Sequence, residues 1–204
     1  AGCHDLGESR PQELWKKAAE IITGDVRWHM IGHLQRNKIE RTLPLVSLVH
    51  SGDSLRLLEA IDTAAAAQGR KIPVLLEVNV SGDATKHGFP PDGLEPSLET
   101  LGGFGHLDLR GLMAMAVREG DLDAARRDFA SLRELRDRLV RASAGRMLEM
   151  LEQFATRGVN MSLLESRPIG DSLGGYRFVI DLDGHIRDER VADALLGLKR
   201  FSPN

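Results

Sequence analysis

"PVLLEVNVSGDATKHGF", residues 73–89, decides the fold. Its first half is an apolar run interrupted by Glu77 alone, and runs of this kind suit strands buried on both faces of a parallel sheet. Its second half turns polar at once, with Asn79, Ser81, Asp83, Lys86 and His87. Outward from it, "RWHMIGHL" (27–34), "LVSLVHS" (45–51) and "LRGLMAMA" (109–116) repeat the pattern of a short apolar run bounded by polar residues or glycine.

Helical patterns fill the gaps. "PQELWKKAAEII" (11–22) opens on a proline suited to a first helical turn. "DSLRLLEAIDTAAAAQG" (53–69) has an Asp53 or Ser54 cap and stops at Gly69. In residues 121–142, Leu122, Phe129, Leu132, Leu135 and Leu139 recur at helical spacing, with Arg and Asp on the solvated face. This alternation predicts an α/β fold, either a (β/α) barrel or a doubly wound sheet. Neither a GxGxxG after the first strand nor a P-loop occurs, so both nucleotide fingerprints are missing.

The totals narrow the function classes. With 204 residues, 42% hydrophobic and 28% charged, the chain has the composition of a globular protein. A net charge of −3 speaks against a dedicated nucleic-acid binder. The single cysteine, Cys3, excludes an intrachain disulfide framework and points to a reducing compartment, the cytoplasm. No apolar run reaches the ~20 residues of a membrane span, and no signal peptide is visible.

After Ala144 the texture changes. The chain reads helix, strand, turn, strand, helix: "RMLEMLEQFA", "VNMSLLES", a turn around 170–175, "YRFVIDLD" and "ERVADALLGLKRF". A hairpin flanked by helices belongs to an α+β unit, so the boundary is placed at 144, with regions 1–144 and 145–204. Phe178, Ile180 and Leu182 share one strand face by period two.

Three chemistries compete for "WHMIGHLQRNKI" (28–39). His29 and His33 have an i,i+4 spacing that serves a metal on a helix but not along a strand and loop, and no acidic third ligand follows nearby; no metal is expected. "QRNK" offers only two cations to a nucleic acid. A pocket fits better, because polar residues follow each predicted strand, where ligands gather in β/α folds. Asn79, at an apolar strand end, is the hardest to explain without a partner.

"DLGESRPQEL", "RWHMIGHLQRNK", "LVSLVHSGDSLRLLEAID", "VLLEVNVSGDATKHGF" and "LRGLMAMA" together resemble the pyridoxal-phosphate homeostasis protein family over residues 1–142. The resemblance implies a TIM-like barrel of fold-type III with pyridoxal 5'-phosphate (PLP) at its mouth, in a carrier without turnover chemistry. It implies Ser9, His29, Asn79, Lys86 and Met113 as cofactor-binding positions, with Ser9 where the family usually has asparagine. The family's Schiff-base lysine falls before Ala1, and its phosphate-binding "SMGMS" segment and final strand have no match here. A partial barrel of five strands with non-covalent PLP binding is therefore expected.

"FATRGVNMSLLESRP" followed by "YRFVIDLDGHIRDERVADAL" resembles the ACT regulatory domain of bacterial prephenate dehydratase, without its first and last strands. That resemblance implies phenylalanine binding at a dimer interface through Gly145, Met147, Asn160, Glu165, Ser166, Arg167 and Pro168. Arg146 stands where the family's "GAL" turn has alanine, which would weaken an apolar ligand's binding. Two partial patterns in one chain imply a chimera. Three functional classes follow: a PLP or phosphate-ligand binder without enzymatic activity, an amino-acid-binding regulatory module, or a chimeric fold with no ligand. Unclosed sheet edges predict a homo-oligomer.

Overall fold

The computed structural model describes residues 3–21, 25–83, 85–116, 122–168 and 176–198. The chain divides into two compact units, one built chiefly on residues up to Arg136 and the other on residues from Asp137 onward. The change of texture at 144 lies a little beyond that division.

In the first unit, strands β1 (Asp5–Glu8), β2 (Arg27–Met30), β3 (Val46–Gly52), β4 (Ile72–Glu77) and β5 (Leu107–Met113) form one sheet in that order. Every neighbouring pair is parallel. Strictly sequential order is the winding of a (β/α) barrel, whereas a doubly wound sheet reverses direction at a switch point. Helices α1 (Pro11–Glu20), α2 (Ile39–Thr42), α3 (Leu55–Ala67) and α4 (Leu98–Gly102) fall between successive strands.

Pro11 starts α1, where its missing N–H is no loss. Ser54 caps α3 by accepting the Leu57 amide. At the other end of α3, Gly69 turns left-handed, with Arg70 N–H donating to Ala65 and Gly69 N–H to Ala66. This Schellman closure reappears at Gly158, after Ala155.

The two-faced burial predicted from the apolar runs is found on one face only. Ile72, Val74 and Leu76 are buried, while the intervening Pro73 and Leu75 are half-exposed. Leu14, Leu58 and Ile61 of α1 and α3 join the buried set. The opposite face carries Asp5, His29 and His50, whose polar groups keep access to water.

Helix α5 (Leu122–Ala155) corrects a second expectation. The sequence suggested one helix to 142 and another from Arg146, but the structure has a single helix through Gly145. A mid-helix glycine costs only about 1 kcal/mol, and no proline interrupts the hydrogen-bond ladder. The apolar stripe is also only partly used: Leu135 and Leu139 are buried, whereas Leu122 and Phe129 are 78% and 51% exposed.

In the second unit, β6 (Met161–Pro168) and β7 (Tyr176–Leu182) pair antiparallel, with Leu164 opposite Ile180 and Ser166 opposite Phe178. The segment 169–175 that joins them lies outside the described residues. Helix α6 (Glu189–Leu198) follows. Phe154, Val159, Val191 and Ala194 form a buried cluster, with Ile180, Leu182, Leu195 and Leu198 packed partly buried against it. Ile180 and Leu182 thus share the apolar face, as the period-two reading requires. Among the described residues no helix is long and apolar enough to cross a membrane.

Candidate functional site

The C-terminal ends of the parallel strands carry a fixed set of polar groups. At the end of β1, Glu8 accepts a hydrogen bond from the Lys17 ammonium, which holds its carboxyl below the ordinary range against the opposing effect of burial. Ile31 N–H donates to the Glu8 carbonyl at 2.8 Å, tying the β2 loop to β1. Ser51 Oγ donates to the Gly32 carbonyl at 2.8 Å, tying the same loop to β3. A Cβ at Gly32 would collide with the Ser9 carbonyl, so the approach of these two loops requires glycine there.

Three strand ends then converge on one carboxylate. His33 Nδ1 lies 2.6 Å from Asp53 Oδ2, and Ser54 Oγ donates to the other Asp53 oxygen at 2.9 Å. The Asp53 side chain is only 6% exposed. His87, from the loop after β4, stacks on His33 with ring centroids 4.1 Å apart and an 11° angle between the planes. Its Nδ1 is 3.9 Å from the same Asp53 Oδ2.

The β4 loop is clamped where it leaves and returns. Phe89 N–H donates to the Glu77 carbonyl at 2.8 Å, and Asn79 N–H donates to the Phe89 carbonyl at 2.9 Å. Gly88, at φ +114, permits this return, because a Cβ there would sit 2.8 Å from the Asn79 nitrogen. Glu77 is buried beneath the loop. Its carboxyl is pushed up, first by burial and then by Asp53, against a smaller opposing effect of His33.

Below the mouth, Arg27 holds Asp5 through two hydrogen bonds of 2.8 and 2.6 Å. His29 Nε2 is 3.3 Å from Asp5 Oδ1, and its Nδ1 is 3.1 Å from His50 Nε2. Burial, and then the neighbouring His29, push the His50 imidazole down.

The residues singled out from the sequence meet different fates. Ser9 is exposed in the turn after β1, and His29 lies on the half-open sheet face. Met113 ends β5 half-buried, and Lys86 reaches the carbonyls of Met115 and Ala116 just beyond it, at 3.5 and 3.4 Å. Asn79 is committed to its own loop: its amide donates to the Asp83 carbonyl at 2.7 Å and accepts from Ser81 Oγ at 2.9 Å. That answers the question of how an amide survives at an apolar strand end.

In the second unit, Gly145 and Met147 fall inside α5, and Glu165, Ser166, Arg167 and Pro168 lie on β6. The side chains of Met147, Glu165, Ser166, Arg167 and Pro168 lie outside the described residues. Asn160 donates to Asp183 Oδ2 at 2.6 Å.

Sequence reasoning missed the His33–Asp53–His87 cluster and named no metal ligands. It looked for an acidic partner to His33 along the chain, whereas the partner comes from the next strand end. The available signal was that "GH", "GD" and "KH" each follow a predicted strand.

Residues 1–153 match the family described as alanine racemase, N-terminal domain. A pyridoxal phosphate homeostasis protein of Pseudomonas aeruginosa is 37% identical over 135 residues, covering 66% of this chain and 59% of that protein. The chain thus spans about three fifths of that relative's length. PipY of Synechococcus elongatus, solved with PLP bound, aligns with a TM-score of 0.65 at 32% identity, covering 69% of this chain and 66% of that one. A prephenate dehydratase of Arthrobacter aurescens, solved with L-Phe, shares 63% identity over 29% of this chain and 19% of its own, with a TM-score of 0.27. With residues 1–153 of 204 in the family match, the chain belongs to the family of the alanine racemase N-terminal domain.

Proposed function

We propose that the first unit binds PLP, or a related phosphate ligand, non-covalently at the strand-end mouth and performs no turnover. The observation that carries this reading is that Lys86, Met113 and the Ser9 turn all lie on the C-terminal side of sequentially ordered parallel strands, with His29 on the sheet face below. The residues present fit such a ligand. Lys86 brings an ammonium to the end of β5, where a phosphate would meet a positive charge. The Glu8 carboxylate is already paired with the Lys17 ammonium, which limits its repulsion of a phosphate.

When bound, PLP supplies an aldehyde that reacts with amines. Lys17 is a poor nucleophile because Glu8 holds its amine protonated. Lys86 is turned toward main-chain carbonyls. Asn79 acts by holding the loop that presents Lys86.

An absorbance titration with PLP tests this, followed by borohydride reduction and peptide mapping. A saturable spectral change that Lys86→Met weakens, without stoichiometric labelling of any lysine, is the expected result. Stoichiometric labelling of one lysine overturns the non-covalent reading, and the lack of any saturable change overturns binding.

We also propose that the chain self-associates, because β1 and β5 are the edges of the sheet among the described residues. Sedimentation over a wide concentration range should show a homo-oligomer; a persistent monomer overturns this.

A second reading assigns phenylalanine binding to the C-terminal unit, through Gly145, Met147, Asn160 and the Glu165–Pro168 stretch. It is supported by the placement of that stretch on an antiparallel hairpin accompanied by two helices. The engagement of Asn160 with Asp183 weighs against that residue's part in it. Calorimetric titration with phenylalanine decides it. Flat titrations with both ligands would leave a chimeric fold with no ligand.

A further inference from the structure

We infer that His33, Asp53 and His87 form a binding site for a divalent first-row transition ion of the zinc type. The inference stands on these residues alone and does not depend on PLP binding.

The donor chemistry is specific. Two imidazoles and one carboxylate, with further positions left to water, are a common ligand set for such ions. One ligand atom from each residue can be chosen so that all three lie within 4.8 Å of one another. Three ligands about 2.0–2.2 Å from one ion stand roughly 3–3.5 Å apart, so the set closes onto an ion once the two stacked imidazoles tilt out of their near-parallel arrangement. The 2.6 Å separation of His33 Nδ1 and Asp53 Oδ2 widens slightly, and the 3.9 Å separation of His87 Nδ1 from that oxygen shortens. The ion takes the place of the proton between His33 Nδ1 and Asp53 Oδ2. That proton leaves to solvent or moves to the far ring nitrogen.

The carriers of the three groups are independently fixed. Asp53 is nearly fully buried, and Ser54 Oγ orients it through the oxygen that does not face the histidines. This is the outer-shell support that metal carboxylates receive. The His33 loop is bound to β1 and β3 through Ile31 and Gly32. The His87 loop is bound to β4 through Phe89, next to the glycine that allows its return. The histidines remain accessible, at 40% and 59% side-chain exposure, which leaves an entry path. A hydrogen-bonded dyad alone explains the His33–Asp53 contact, but it does not explain why a second imidazole stacks with its Nδ1 toward the same oxygen.

The test uses the full chain, freed of metal by a chelator, in a buffer without phosphate. Calorimetric titration with Zn2+ should show one saturable equivalent, and Co2+ should give visible absorption bands of low-coordinate geometry. His87→Ala is the decisive variant because its side chain is exposed in a loop and its removal leaves the core intact. It should lower Zn2+ affinity by more than about 100-fold, beyond the usual effect of an outer-shell change. His33→Ala should do the same, and His185→Ala should change nothing. Wild-type affinity in His87→Ala, or no saturable uptake by the parent chain, overturns the site. So does loss of uptake in His50→Ala with His87→Ala unaffected, since the ion would then belong to the His29–His50 pair.

Discussion

The N-terminal unit draws buried side chains from successive strands and helices, with Leu14, Met30, Val49, Leu58, Ile61, Ile72 and Val74 all fully covered. In the C-terminal unit the buried cluster consists, among the described residues, of Phe154, Val159, Val191 and Ala194. One unit spreads its burial over many mid-sized side chains, and in the other, among the described residues, Phe154 is the one buried aromatic ring. The strand directions differ as well. Parallel strands all end on one side, so their loops bring Glu8, His33, Asp53 and His87 to a common mouth. An antiparallel hairpin sends successive strand ends to opposite sides and gathers no such set.

The largest effect that could break this comparison is Phe154→Ala. Removal of a fully buried ring should cost about 3–5 kcal/mol, enough to unfold a small unit. Amide exchange should then show protection lost in β6 and β7 and retained in β1–β5. Simultaneous loss in both units would mean that they do not fold independently.

Next in size is Gly52→Ala, where a Cβ would stand 2.8 Å from both the Leu75 carbonyl and Val74 Cγ1. Overpacking there should destabilise the N-terminal unit by about 1–3 kcal/mol, seen as a lower urea midpoint for its transition alone. An unchanged midpoint would mean that the β3–β4 pair has slack.

Ser54→Ala should cost about 1 kcal/mol through loss of the α3 cap. It also frees one oxygen of Asp53, so the His33 ring signals in a proton spectrum should shift. Destabilisation without any such shift would separate the cap from the mouth.

The smallest effect is one of pH dependence, in Glu77→Gln. The folded carboxyl titrates above its unfolded value because it is buried beside Asp53. Its contribution is therefore fully present below the unfolded pKa and is lost as pH rises through the folded pKa. The variant should match the parent chain below the unfolded pKa and exceed it in thermal stability above the folded pKa. A difference that stays constant with pH would mean that Glu77 is not desolvated.

The sequence showed the strands and helix ends best where local chemistry decides them. Ser54, Gly69 and Gly158 were identifiable because caps and left-handed turns need particular residues at particular places. Leu122 and Phe129 misled because periodicity defines a helix face without saying whether anything covers it. The change of texture after Ala144 misled because it alters the pattern of side chains without breaking the helix, which runs on to Ala155. The mouth was partly legible. A polar residue after each strand could be read, but which loops meet depends on sheet order. Asp53 lies 20 residues from His33 in the chain and at hydrogen-bond distance in space.

The bridge between Val78 and Phe89 makes the loop it closes a place where the chain can change length. Gly82 near its tip faces open space, with no heavy atom within 4 Å of where a Cβ would lie. Because the clamp fixes both ends, residues inserted after Gly82 would extend outward without moving the strands. Doubling the loop would cost only about 0.6 kcal/mol in closure entropy. Such a segment suits a peptide tag or a protease recognition sequence, which would make the mouth addressable from outside without altering the sheet that builds it.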